Sequence, residues 1–252
     1  MLRPEAHYCS RCGRPTREGV PDRRRTVPLS VILSRVASSA RPGKQTILFY
    51  FLWCLTAVIS AFILRGGAPV VPVELGMEIF DSALTVVWVL ALRRDILPLY
   101  GPSKGGWKPY GVAVGVAYPL ALGVHSLVRF LESRFSIPVT NLLEPFRQGG
   151  YGWGLIFLSI CIQPAVIEEL AFRGVILTTL RDVMRPAETI VVAAIAFSIM
   201  HFSLVMFVPF VLMGLYLGWL RHWSGSLWPA MMAHFLHNTL VTVHETRPIF
   251  PF

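Results

Sequence analysis

From Thr46 to the C-terminus, apolar runs recur with only short polar connectors between them. A helix that crosses the hydrocarbon core of a bilayer needs roughly 20 mainly apolar residues. Inside lipid, only helices and closed barrels satisfy their own backbone polar groups. The runs fall at 46–64, 70–92, 109–131, 151–170, 188–205, 206–220 and 227–244, with "FRGVILTTLRDVM" as a shorter helix after the fourth. The expected fold is all-α, a polytopic membrane helix bundle of about seven or eight transmembrane helices. Composition agrees: 54% of residues are hydrophobic and 15% charged, too greasy for an ordinary soluble domain.

The net charge of +9 does not point to nucleic acid, because the cations lie in one tail and in short connectors. Ten of the 23 lysines and arginines fall within residues 1–44. If that tail is cytosolic, successive connectors alternate sides. Arg93, Arg94, Lys104, Lys108, Arg181, Arg185 and Arg221 then fall inside, and Arg65, Arg134, Arg147 and Arg247 outside. The asymmetry fits cytoplasmic retention of basic loops. The protein is expected to be an integral, multi-pass membrane protein with a cytoplasmic N-terminus. No secretory signal peptide is visible, so insertion rather than secretion is expected.

Two regions follow. Residues 1–44 form a basic tail rich in arginine, proline and glycine without apolar periodicity, and residues 45–246 form the multi-span membrane domain. The tail opens with "HYCSRCG", a CxxCG knuckle resembling the first half of a zinc ribbon. Cys9 and Cys12 supply two thiolates at zinc-ligand spacing, and His7 is a third candidate ligand. The fourth ligand is missing, so a single chain is expected to hold no metal there, with zinc shared between two copies as the alternative. Cys54 and Cys161 sit in apolar runs, where cysteine usually packs as a small side chain.

The most informative stretch is "IEELAFRG", which sets two glutamates and an arginine inside an apolar run. Ionisable groups within membrane spans are costly and normally face a bundle interior or a wet cavity. On a helix, Glu169 and Arg173 lie one turn apart and can neutralise each other, while Glu168 points about 100° away and is left for another partner. In "FSIMH", Phe197 and His201 are four apart; in "HFLHN", so are His234 and Asn238. Three helices meeting around one polar intramembrane cavity would bring these groups together. A carboxylate that takes a proton from water, an imidazole that holds that water, and amide or imidazole N–H donors for an oxyanion make up hydrolytic equipment. His237, three residues after His234, is a supporting polar group that could reach the same cavity. Glu74, Glu78 and Asp81 share one face of the second run, expected to pack against polar neighbours or to lie near the outer interface.

In order and spacing, EExxxR at Glu168, Glu169 and Arg173, FxxxH at Phe197 and His201, and HxxxN at His234 and Asn238 resemble the CPBP family. That family comprises CAAX proteases and bacteriocin-processing enzymes, also called Abi. The resemblance covers roughly residues 150–245 and makes 45–246 a CPBP-type domain. It implies an intramembrane glutamic endopeptidase, similar to the Ras-converting CAAX protease, that uses a glutamate-activated water and forms no acyl-enzyme. It further implies Glu168 as base, His201 as its partner in holding water, and His234 with Asn238 as oxyanion site. Glu169, Arg173 and Phe197 take supporting roles. No cofactor is required in that reading. The implied partner is a membrane-embedded or lipidated peptide or protein, and a bacterial inner membrane is the expected location.

Other hydrolytic chemistries leave no trace. The sequence contains no HExxH, and Ser224 in "HWSGS" lacks the glycine two positions before it that a GxSG nucleophile motif requires. Zinc held by Glu168, His201 and His234 stays open as an alternative mechanism. A non-proteolytic membrane scaffold or peptide-immunity protein of the same fold is the alternative class of function.

Overall fold

The computed structural model describes residues 42–135, 141–247 and 249. The CxxCG knuckle, with Cys9, Cys12 and His7, lies outside the described residues. Nine helices and no strands make up the described part. They are α1 (Pro42–Arg65), α2 (Val70–Ala91), α3 (Arg93–Ile96, continued by a 3₁₀ turn to Tyr100), α4 (Lys108–Phe135), α5 (Glu144–Gln148), α6 (Trp153–Leu180), α7 (Pro186–Ile199), α8 (Phe207–Ser224) and α9 (Trp228–Thr246). The molecule is an all-α membrane helix bundle.

Among the described residues, three helices are long and apolar enough to cross a bilayer by themselves: Lys44–Arg65, Lys108–Phe135 and Trp153–Leu180. A fourth span is available if α2 and the Arg93–Tyr100 segment, bent by 86° to each other, count as one. The later apolar runs are helical too, but α7 ends at Ile199, within the run that the sequence extends to residue 205. At about 1.5 Å rise per residue, its 14 residues reach some two thirds of the way across a hydrocarbon core of about 30 Å.

One boundary differs from expectation. The run at 151–170 and the shorter helix expected after it form a single rod, Trp153–Leu180. Leu158–Ile162 and Glu169–Ile176 within it are π-helical. The wider winding absorbs the Glu169–Arg173 stretch without a break, and all eight residues of that second segment are buried. π-segments within α-helices occur frequently at functional sites.

The core gathers around this rod. Phe172 meets Phe197 edge-on at 5.2 Å between ring centroids and Trp53 at 5.8 Å. Phe49, Val175, Leu177 and Leu227 complete a fully enclosed cluster. Helices α7 and α8 approach closely because Gly214 faces Ala194: a Cβ at Gly214 would stand 2.8 Å from the Ala194 Cα. Small residues at such crossings let backbones come together where lipid offers no hydrophobic drive. The contact turns the Gly214 carbonyl towards Arg173.

The basic connectors collect at one end of the bundle. There the Lys104 N–H donates to the Ser224 carbonyl at 2.8 Å, the Leu227 N–H to the Leu99 carbonyl at 2.9 Å, and Arg181 bonds His222. At another junction, the Leu142 and Leu143 N–H groups donate to the Glu245 carboxylate.

Candidate active site

Glu169 and Arg173 project from the π-helical part of α6 and are sealed from solvent, at 0% and 1% side-chain exposure. Arg173 Nη1 donates to Glu169 Oε1 at 2.6 Å, and Nη2 donates to the Gly214 carbonyl at 3.3 Å. The guanidinium also lies 4.7 Å above the Phe197 ring. A buried cation is thus compensated by a carboxylate, a carbonyl dipole and an aromatic face from three helices.

His234, on α9, joins the same carboxylate, with Nδ1 3.0 Å from Glu169 Oε1. A carboxylate oxygen accepts, so Nδ1 carries the hydrogen and Nε2 is turned the other way. Nε2 stands 3.9 Å from Glu168 Oε2, wider than a direct hydrogen bond. Glu168 keeps 14% side-chain exposure, and no hydrogen bond holds its carboxylate among the described residues. Glu169 is thus held by two side chains, whereas Glu168 is held by none among the described residues.

His201, just beyond the C-terminal end of α7, is oriented in a similar way. Its Nδ1 lies 2.7 Å from the Phe197 carbonyl, so this nitrogen donates and Nε2 is free to accept. The Phe197 and Phe210 rings hold the imidazole, with centroids at 4.8 and 4.0 Å. Glu168 interacts electrostatically with His201. Two imidazoles therefore bind protein through Nδ1, and each offers Nε2 in the neighbourhood of one ionisable carboxylate.

Asn238 is placed differently from the simplest expectation. Its Nδ2 donates to the Ile160 carbonyl at 2.9 Å, in the first π-helical segment of α6. One amide hydrogen is used for backbone, and the other remains. His237 is buried, with Nδ1 lacking a partner, so it is a polar group of the interior. Asp81 accepts from Thr56 Oγ1 at 2.8 Å, and Gln163 Nε2 donates to Ser82 Oγ at 3.2 Å, so the acidic face of α2 packs against polar neighbours. Glu78 and Asp81 both interact electrostatically with Glu168. Sequence reasoning did not find the Ile160 and Gly214 carbonyls or the Phe210 ring. Backbone acceptors carry no residue signature, and Phe210 lies outside every motif, nine positions after His201 and twenty-four before His234.

Among the described residues, no group of three or more His, Cys, Asp and Glu side chains is arranged to hold a metal ion. The zinc arrangement considered for Glu168, His201 and His234 is not assembled in this geometry.

Residues 151–240 match the family model described as type II CAAX prenyl endopeptidase Rce1-like. This segment is similar to the CAAX proteases. Neither the comparison with curated proteins nor that with solved structures gave a match. The matched segment begins just before α6 and ends within α9, so it contains every motif residue from Glu168 to Asn238. Helices α1, α2 and α4 lie outside it, yet α1 supplies Trp53 to the core and α2 supplies the acidic face near Glu168.

Proposed function

We propose that the chain is an intramembrane endopeptidase that hydrolyses a peptide bond of a membrane-associated, lipidated protein or peptide with an activated water. The observation that carries the proposal is the paired orientation of His201 and His234. Each donates through Nδ1 to protein, which leaves two Nε2 atoms and the unbonded Glu168 carboxylate for a third party.

In this reading, Glu168 accepts a proton as the water oxygen attacks the scissile carbonyl carbon, and His201 Nε2 accepts the water's second O–H to fix its direction. The carbonyl π-electrons move to oxygen and give a tetrahedral oxyanion. The remaining Asn238 N–H and His234 stabilise that oxyanion. His234 does so as the imidazolium, because the neutral tautomer with Nδ1–H on Glu169 has only a lone pair at Nε2. Collapse breaks the C–N bond, Glu168 returns its proton to the leaving amine, and no covalent enzyme intermediate forms. Glu169 and Arg173 hold the frame.

A lipidated substrate is supported by an open apolar groove of about 640 Å³ lined by Ile162, Ala165 and Val166 of α6, Met231 and Phe235 of α9, and Tyr110 of α4. Two of the helices that line it also carry Glu168 and His234. The distribution of basic connectors supports a cytoplasmic N-terminus, and a bacterial inner membrane is part of the same proposal, supported by the short basic tail with its zinc-ribbon-like start.

The test compares membrane peptides of cells expressing wild type and Glu168→Ala. A fragment produced only by wild type names the substrate and the bond cut. Identical peptide profiles, with both proteins at equal abundance, refute proteolysis through Glu168.

A further inference from the structure

At the end of the bundle where the basic connectors meet, Arg181 and Arg221 are both buried, with 8% and 3% of their surfaces exposed. Buried arginine is ordinarily matched by a carboxylate. Here, among the described residues, no carboxylate ion-pairs with either. Arg181 bonds the His222 imidazole, and Arg221 Nη2 donates to Thr178 Oγ1 at 3.2 Å. The Nε atoms of both arginines are buried with no hydrogen-bond partner.

A third cation closes the group. Lys104 is tied in place through its backbone N–H to the Ser224 carbonyl. Its side chain lies across Gly225, so that a Cβ there would meet Lys104 Cε at 2.8 Å and Nζ at 3.2 Å. Gly225 tolerates this because it turns the chain after α8 with φ 66°. Lys104 and His222 form the exposed rim, while Arg181 and Arg221 form the floor. Burial, followed by the charges of Arg181, Arg221 and Lys104, holds the His222 imidazole below its usual range. Since the Arg181 guanidinium can only donate, His222 Nδ1 accepts, and Nε2–H points elsewhere as a further donor.

We propose that this cluster is a binding site for a phosphate group, filled by the headgroup phosphate of a membrane lipid or by free phosphate. Guanidinium groups match phosphate oxygens bidentately, and an ammonium adds a point charge. The depth of the cluster favours the lipid source. Trp107, Trp219, Trp223 and Trp228 are exposed around the same end, and Trp228 Nε1 donates to the Tyr100 carbonyl at 2.9 Å. Exposed tryptophans mark the headgroup level of a membrane protein. The site is separate from the proteolytic one: Arg181 lies twelve residues beyond Glu169 on the same chain, about 18 Å along a helical path.

The test uses the full chain purified in a neutral detergent. Thermal unfolding is followed with dioctanoyl phosphatidic acid, with dioctanoylglycerol, with inorganic phosphate, and with a short peptide ending in a free carboxylate, all at equal ionic strength. The phosphatidic acid is expected to raise Tm by several degrees and dioctanoylglycerol to leave it unchanged. Lys104→Ala alters only the exposed rim, and Arg181→Gln keeps a polar group in the floor. Each is expected to weaken apparent affinity roughly tenfold. Stabilisation by inorganic phosphate equal to that by the lipid assigns the site to free phosphate, and stabilisation by the lipid alone assigns it to a headgroup; both outcomes support a phosphate site. An equal response to dioctanoylglycerol, a response to the carboxylate peptide in place of phosphate, or unchanged affinity in both variants overturns it.

Discussion

Glu169 Oε1 is shared by two donors, Arg173 Nη1 at 2.6 Å and His234 Nδ1 at 3.0 Å. One buried oxygen therefore neutralises the cation of α6 and sets the tautomer of an imidazole on α9. Structural and chemical roles converge on it. Glu169→Gln is expected to lower stability by about 3–5 kcal/mol, the cost of stripping one partner from a buried ion pair. Chemical denaturation in detergent measures this. A loss below about 1 kcal/mol would show that the pair is not an essential strut.

Glu168 presents the opposite case. It is partly exposed, it is not held by hydrogen bonds among the described residues, and the His234 imidazole stands 3.9 Å away. Glu168→Gln is thus expected to leave thermal stability nearly unchanged and to cut turnover by about 10²–10⁴, the range for removing a general base. Single-turnover cleavage at saturating substrate separates the effects, and retention of more than a tenth of wild-type turnover would remove Glu168 from the role of base.

The contrast between the two glutamates was legible in the spacing: residues four apart lie close to one face, so Glu169 can meet Arg173 while adjacent Glu168 points elsewhere, and the π-helical winding of Glu169–Ile176 keeps that relation. The all-α bundle was legible for a similar reason: length and apolarity decide membrane helices almost alone. Helix continuity was not. Whether the segment carrying Glu169 and Arg173 ends a span or winds on as π-helix depends on packing against Phe197, Gly214 and Trp53, which lie on other helices. The partner of Asn238 was hidden likewise, since a carbonyl freed by π-winding at Ile160 has no residue signature. Convergence of His201 and His234 near Glu168 came from motif order, and spacing within each helix says nothing about how helices meet.

Gly214 links packing to the site. Because a Cβ there would press on the Ala194 backbone at 2.8 Å, Gly214→Ala must part α7 from α8 or shift the carbonyl that receives Arg173. A destabilisation of about 1–3 kcal/mol is expected, as for overpacking elsewhere, together with reduced turnover. Thermal unfolding checks the first and cleavage rate the second; a variant as stable as wild type would mean that the helices part without cost.

Chelation addresses the chemistry of the water. Activity of the purified protein is expected to survive prolonged treatment with a strong zinc chelator, since the proposed base is Glu168 itself. Complete loss that added zinc restores would replace the metal-free mechanism with a metal-bound hydroxide. A partial effect limited to the N-terminal knuckle is separated by repeating the experiment on Cys9→Ser with Cys12→Ser, which leaves the membrane domain intact.

Asn238 decides whether the oxyanion site is built as proposed. Its amide donates one hydrogen to the Ile160 carbonyl, so Asn238→Ala removes a backbone partner as well as an oxyanion donor. The first loss costs about 1–3 kcal/mol of stability, and the second reduces turnover by about 10²–10³. Asn238→Gln separates the two: the longer amide can still reach a carbonyl, while its remaining N–H is displaced from the reacting oxygen. Near-normal stability with turnover down by at least tenfold is the expected outcome for Asn238→Gln. Full turnover in that variant, or a turnover loss in Asn238→Ala that merely tracks the fraction unfolded, would confine Asn238 to capping the π-helical segment and leave His234 as the sole side-chain donor to the oxyanion.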